Sequence, residues 1–345
     1  MFQLREKNIT HSKKINARTQ VRSGSDQENE DNVKNVPAMS FDGGPEFADP
    51  SWSHLQVCYA ILREIVLTSK IPLAVKKKVI RVWFVKKLIE VFRSKDRRER
   101  TQVKLSVHRI YGSLTNRRSC IRQSVNESFY MYLYERMPHC GIFEMLEFLL
   151  SIVNGFGTPL REEHLTSLKR ALIPLHKMED EPKYHDRLQY CMVLYITKDK
   201  NLASHIISEI LRFWPRTGSR IKVLGFLAEI DEILAMGTCV CDVRVHSHNK
   251  ITHITNVLNT GLSDEIMEKI RKSLTSKLLS CIRSDHSEIV LRTLHMIHHN
   301  KRVRALFQDV DERLSVEIKT LVKENVTGHW SNQVRTYSSI VLGVL

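Results

Sequence analysis

Apolar side chains return at helical intervals along most of this chain, and prolines cut the pattern into short lengths. Leu165, Leu168, Leu172 and Leu175 fall at i, i+3, i+7 and i+10, one stripe of one helix. Ile206 and Ile210, with Ile207 and Leu211 beside them, repeat at i, i+4. The segment from Ile142 to Val153 is apolar almost all round, which predicts burial on both sides. Breakers stand at Ile71-Pro72, Met137-Pro138, Thr158-Pro159, Glu181-Pro182 and Trp214-Pro215. With only 13 glycines and 9 prolines in 345 residues, turns are too few for a β fold. The pattern predicts an all-α protein, an α-solenoid of stacked helical hairpins, although no strict sequence repeat is present.

Two segments depart from this pattern. Residues 1–47 are polar with mixed charge and cannot bury enough apolar surface to offset their ordering entropy, so they are expected to be a disordered tail. The solenoid is then expected over 48–345. Residues 237–261 alternate and are rich in β-branched side chains, which reads as an inserted loop or small hairpin. That insertion holds Cys239, Cys241, His246, His248 and His253, all zinc-ligand types. Their C-x-C and H-x-H spacing is irregular, whereas structural zinc sites space cysteines by about two to four residues. No metal and no cofactor is expected. The seven cysteines are odd in number and widely spread, and fit reduced thiols in the cytosol or nucleus. The N-terminus is too polar for a signal peptide, and no run approaches the length of a membrane span, so no membrane partner is expected.

Charge narrows the function further. The net charge is +15, and residues 51–345 carry 46 bases against 30 acids, so the basicity belongs to the helical part. Acidic partners follow: nucleic acid, acidic or phosphorylated peptides, or an acidic protein surface. The run VKKKVIRVWFVKK, Val75 to Lys87, reads first as a solvated lysine face, with a nucleic-acid or acidic-protein contact as the alternative. Enzyme motifs are missing: there is no P-loop, no H-E-x-x-H and no G-x-S-x-G. Gly155-Phe156-Gly157 lacks the strand-to-helix context that a dinucleotide needs, and no glycine is followed by aspartate. No enzymatic activity is expected.

The stretch VHRIYGSLTNRRSCIRQSVN, Val107 to Asn126, carries the strongest candidate site. His108, Tyr111, Arg118 and Arg122 fall at i, i+3, i+10 and i+14, while Ile110, Leu114, Ile121 and Val125 form a separate apolar stripe. A turn near Thr115-Asn116 would make this a hairpin that packs through one face and shows its cations on the other. Arginine forks beside an aromatic ring suit a carboxylate or phosphate next to an apolar side chain. A solvated arginine-rich face is the bland alternative. On the residues alone, a general α-solenoid adaptor whose basic face binds nucleic acid or an acidic protein stays open.

Several long motifs in order resemble one family. DRRERTQVKLSVHRIYG (Asp96 to Gly112) is similar to the signature of the B-prime regulatory subunits of protein phosphatase 2A. The resemblance continues through GIFEMLEFLLSIVNGFGTPLREEHLTSLKRALIPLHK (Gly141 to Lys177), YHDRLQYC (Tyr184 to Cys191), FWPRTGS (Phe213 to Ser219) and HWSNQV (His329 to Val334). It runs from about Trp52 to the C-terminus and thins after Leu234. It implies a curved α-solenoid of HEAT-like hairpins that does no chemistry, in the cytoplasm and nucleus. The implied partners are the phosphatase scaffold subunit, the catalytic subunit, and substrate proteins bearing short Leu-x-x-Ile-x-Glu motifs; nucleic acid is not among them.

The resemblance implies a motif-reading groove formed by His108, Arg109, Tyr111, Arg118, Arg122, Glu147, Phe148, Ser151, Ile152, Arg161 and His164. Tyr111, His164 and the Glu147-to-Ile152 edge would line apolar pockets, and the cations would hold the motif's acid and nearby phosphates. A micromolar affinity, roughly −8 kcal/mol, is expected. Phe148 stands where the family usually has an aliphatic residue, and Arg161 where it has lysine. The 237–261 insertion has no family counterpart, and LHMIHHNKRV (Leu294 to Val303) lacks the Trp-Asn-Asn-Glu element expected there.

Overall fold

Between breakers the chain coils into helices. The computed structural model describes residues 47–215, 219–236, 264–308 and 312–345. The expected disordered tail, up to residue 46, and the expected insertion at 237–261 lie outside the described residues. So do Cys239, Cys241, His246, His248 and His253. Fifteen α-helices occur among the described residues: α1 (Trp52–Leu67), α2 (Leu73–Val79), α3 (Val82–Glu90), α4 (Arg97–Ser113), α5 (Arg118–Tyr134), α6 (Ile142–Val153), α7 (Glu162–Ser167), α8 (His185–Lys198), α9 (Leu202–Arg212), α10 (Arg220–Ala235), α11 (Asp264–Ile282), α12 (Ser287–His299), α13 (Lys301–Gln308), α14 (Glu312–Gly328) and α15 (Asn332–Leu342). None is long and apolar enough to cross a membrane. The five cysteines described (Cys58, Cys120, Cys140, Cys191 and Cys281) are free thiols.

Packing runs in series. α1 lies on α4, α3 on α5, α4 on α6, α6 on α8, α9 on α11, α10 on α12, and α12 on α15. Each of these helices packs against a partner only a few elements away, the arrangement of an all-α solenoid. The stripe Ile110, Leu114, Ile121 and Val125 is wholly buried, and a short 3-10 turn at Thr115–Arg117 joins α4 to α5. α6 is buried on several sides, including Glu144, which pairs with Arg100 at 3.1 Å.

Side chains fix the joints. Asp96 caps α4: its Oδ1 accepts from the Arg98 backbone at 2.8 Å, and its Oδ2 from the Asp49 backbone at 2.9 Å. Burial opposes the charge on Asp96, but the hydrogen bonds from Arg98 and Asp49 win and hold the carboxyl down at about 2. Gly141 opens α6 with no room for a side chain, because a Cβ there would overlap the carbonyl oxygen of Phe92. Gly141→Ala is therefore expected to cost about 1–3 kcal/mol or more, read as a lower urea midpoint.

One expected helix is irregular. Leu168, Leu172 and Leu175 of the expected stripe are buried and Leu165 partly so, but the winding changes after α7 to a π turn at Leu168–Leu172 and then a 3-10 turn at Ile173–Lys177. Pro174 has no N–H to give the carbonyl of Arg170. Tyr134 supplies one instead, its hydroxyl donating to that oxygen at 2.9 Å.

A charged network lies in the core beside these turns. His176 contacts Glu229 through Nε2 at 3.1 Å and the Ile173 carbonyl through Nδ1 at 2.8 Å. His185 hydrogen-bonds Glu181 and sits 3.9 Å from Glu229. Glu181, His176 and Glu229 are fully buried. Burial pulls the His185 pKa down, but the hydrogen bond to Glu181 and the charge of Glu229 override it and raise it to about 9.

Candidate functional site

The α4–α5 hairpin and the α6–α7 connection bring most of the expected residues together. Tyr111, near the end of α4, sets its ring edge-on to Phe148 of α6, with centroids 5.8 Å apart. Phe148 is 1% exposed, so it is the floor beneath Tyr111 and not an open wall. Ile152 is likewise core, and the exposed Ser151 turns its hydroxyl back to the Phe148 carbonyl at 2.6 Å.

Arg118 and Arg122 are both held by Tyr111, through different atoms. The Arg118 guanidinium lies 5.2 Å from the ring centre, and its Nε donates to the Tyr111 carbonyl at 2.9 Å. It thus also caps the carbonyl end of α4, where a cation is favoured. Arg122 donates from Nη1 to the Tyr111 hydroxyl at 3.0 Å and from Nη2 to both oxygens of Glu163, at 2.8 and 3.0 Å. Arg161 and His164 each approach Glu163 to 3.8 Å. His164 is buried and stacks on Phe156, centroids 3.7 Å apart.

Three cationic or titratable side chains therefore converge on one carboxylate, that of the exposed Glu163. Burial opposes ionisation of Glu163, but its bonds to Arg122, with His164 and Arg161 nearby, keep it below the ordinary carboxylate range. His164 is pulled below the ordinary imidazole value, first by burial and then by Arg122 and Arg161, against the pull of Glu163. His108 is lowered too, by loss of water around its ring and by Arg109. At neutral pH the site's fixed positive charge therefore rests on its arginines.

The remaining expected residues behave differently. His108 and Arg109 are exposed and form no ion pair among the described residues. Glu147 faces Lys104 of α4 and Arg187 of α8, and ties three helices together. The sequence reading missed Glu163, Phe156, Lys104 and Arg187. Glu163 had a visible signal, an acid directly beside His164 and two residues from Arg161. Phe156 sat inside a glycine pair considered only as a dinucleotide motif. Among the described residues, no group of three or more His, Cys, Asp or Glu side chains could hold a metal ion.

The sequence matches the family model described as protein phosphatase 2A regulatory B subunit (B56 family) over residues 4–245. It is 35% identical over 312 residues to the B' delta isoform of the 55 kDa regulatory subunit of protein phosphatase 2A from Arabidopsis thaliana, covering 90% of this chain and 60% of that protein. It is 40% identical over 303 residues to the 57 kDa B' theta isoform of the same plant, covering 88% and 56%. The delta isoform of the 56 kDa regulatory subunit from Oryctolagus cuniculus is 32% identical over 310 residues, covering 87% and 48%. The chain thus spans about half to three-fifths of the length of these relatives, all of which are named regulatory and not catalytic subunits.

Proposed function

We propose, since this chain belongs to the B56 family of protein phosphatase 2A regulatory B subunits, that it is a non-catalytic regulatory subunit that recruits substrates to the phosphatase. The reading extends to binding of the scaffold and catalytic subunits and to residence in cytoplasm and nucleus. Substrates would enter by a short Leu-x-x-Ile-x-Glu motif, acidic or phosphorylated, laid across the α4–α5 hairpin and the α6–α7 connection. One observation carries this: the Tyr111 ring on its Phe148 floor, flanked by Arg118 and Arg122, with Arg161 and His164 alongside. An apolar floor beside fixed guanidinium forks is what a peptide alternating apolar and anionic side chains requires.

A labelled motif peptide titrated into the chain by fluorescence anisotropy tests the reading. A micromolar dissociation constant is expected. It should weaken by about tenfold or more when the motif glutamate becomes alanine or when the protein carries Tyr111→Ala. Because His108 and His164 are neutral at pH 7, affinity should rise as pH falls below the ordinary imidazole value and these rings gain charge beside the anionic peptide. No binding by a folded, helical protein would refute the groove. Steeply salt-dependent binding to arbitrary nucleic acid in its place would favour the basic adaptor.

A further inference from the structure

The lysine-rich run from Val75 to Lys87 plays no part in the groove, and its exposed surface is not that of a simple solvated face. Such a face would leave the apolar residues between the lysines packed inward. Ile80 and Val85 do pack inward, each 1% exposed. Leu73, Val75, Val79, Val82 and Trp83 do not: they are 50%, 45%, 61%, 43% and 62% exposed. The stretch from Ser69 to Lys87 also contains seven bases and no acid.

Two of the surrounding cations hold this surface in place. Lys76 is buried, and its Nζ donates to the carbonyls of Val66 at 2.7 Å and Thr68 at 2.6 Å, pinning α2 to the end of α1. Arg117 donates to the carbonyls of Ile80 at 2.9 Å and Lys77 at 3.1 Å, pinning the end of α2 to the start of α5. The apolar groups are thus displayed from a braced backbone. Lys86 and Lys87 are partly compensated by Glu127 at 3.8 Å and Glu90 at 2.8 Å. Lys70, Lys77, Lys78 and Arg81 form no ion pair among the described residues.

We propose that α2 and the first turn of α3 form a docking surface for an anionic lipid bilayer. The two kinds of exposed group fit two layers of that partner. Lysine and arginine meet the negative headgroups, each contributing over about a Debye length. Trp83 suits the headgroup boundary, and Val75, Val79, Val82 and Leu73 the top of the acyl layer just beneath it. Nucleic acid would use the cations and could stack on the tryptophan, but it gains nothing from four exposed aliphatic side chains. Such contact is peripheral, so it needs no spanning helix. It is reversible and salt-sensitive, and it uses none of the residues assigned to the motif groove.

The test is co-sedimentation of the full chain with vesicles of phosphatidylcholine alone and of phosphatidylcholine mixed with phosphatidylserine. Partitioning onto the anionic vesicles should exceed that onto the neutral ones by about tenfold or more. The doubly substituted Trp83→Ser, Val79→Ser protein and the Lys77→Glu, Lys78→Glu protein should each lose this binding while keeping the motif-peptide affinity unchanged. All four positions are exposed, so both variants should fold. Equal partitioning onto both vesicle types, or retained binding by either variant, overturns the proposal. Salt-dependent binding to duplex DNA without binding to anionic vesicles also overturns it, in favour of a nucleic-acid surface.

Discussion

Glu229→Ala is expected to lower the stability of the chain by about 3–5 kcal/mol, because it leaves His176 without its carboxylate and His185 with one anion fewer inside the core. Glu229→Gln keeps a hydrogen-bonding group of the same shape and should cost less. The effect has a pH signature. His185 has its pKa raised to about 9 in the folded chain, so its stabilising contribution is fully present below the ordinary imidazole value. It declines as pH rises through the folded value, because the unfolded chain gives up its proton first. Urea unfolding followed by circular dichroism should therefore show stability falling across that alkaline window in the parent chain. The fall should be shallower in Glu229→Ala. An unchanged slope would show that the carboxylate does not hold the proton on His185.

Phe148→Ala is the second large effect, and it joins packing to recognition. The side chain is almost fully buried and supports the Tyr111 ring edge-on, so its removal should cost about 3–5 kcal/mol. Tyr111 would then lose its floor, and the motif peptide should bind at least about tenfold more weakly even in conditions where the protein stays folded. Phe148→Leu keeps an apolar side chain at this position and should cost less, roughly 1 kcal/mol. It is expected to retain peptide binding and to shift preference toward bulkier side chains at the motif's apolar positions. Identical binding by Phe148→Ala and the parent chain would show that recognition does not depend on Phe148 as the support of Tyr111.

The sequence makes the framework legible wherever local physics decides it. The stripe Ile110, Leu114, Ile121 and Val125 announces both helices of the hairpin and their inward faces, and all four are wholly buried. Prolines 72, 138, 159 and 215 fall between helices, and Pro182 in a 3-10 turn, as fixed φ and a missing donor require. The 165–175 stripe shows where this reading stops. Apolar spacing gives the inward-facing residues, but not the change of winding around Pro174 nor the hydroxyl of Tyr134, 36 residues away, that meets the Arg170 carbonyl there.

The candidate site was legible in its cations and its aromatic ring, which the family resemblance picked out. It was not legible in its counter-charge. Glu163 stands visibly beside His164 and Arg161, but its reach to Arg122 spans 41 residues of chain, which local spacing does not show. Glu147, expected at the groove, is shared between Lys104 and Arg187 and serves as a strut. The basic run near α2 was misleading in a different way. Alternation of charged and apolar residues implies one wet and one dry face, but two short helices joined by a turn at Ile80-Arg81 leave apolar groups outside as well.

The serial packing of the helices also sets how damage travels. A tightly knotted core fails as a whole, whereas here each helix answers mainly to its nearest companions. Loosening α14 against α15 should fray that end and be felt weakly at the α4–α5 hairpin, since among the described residues these helices pack on different partners. In such a row a local defect is expected to stay local, so stability read at one end should be largely independent of stability read at the other.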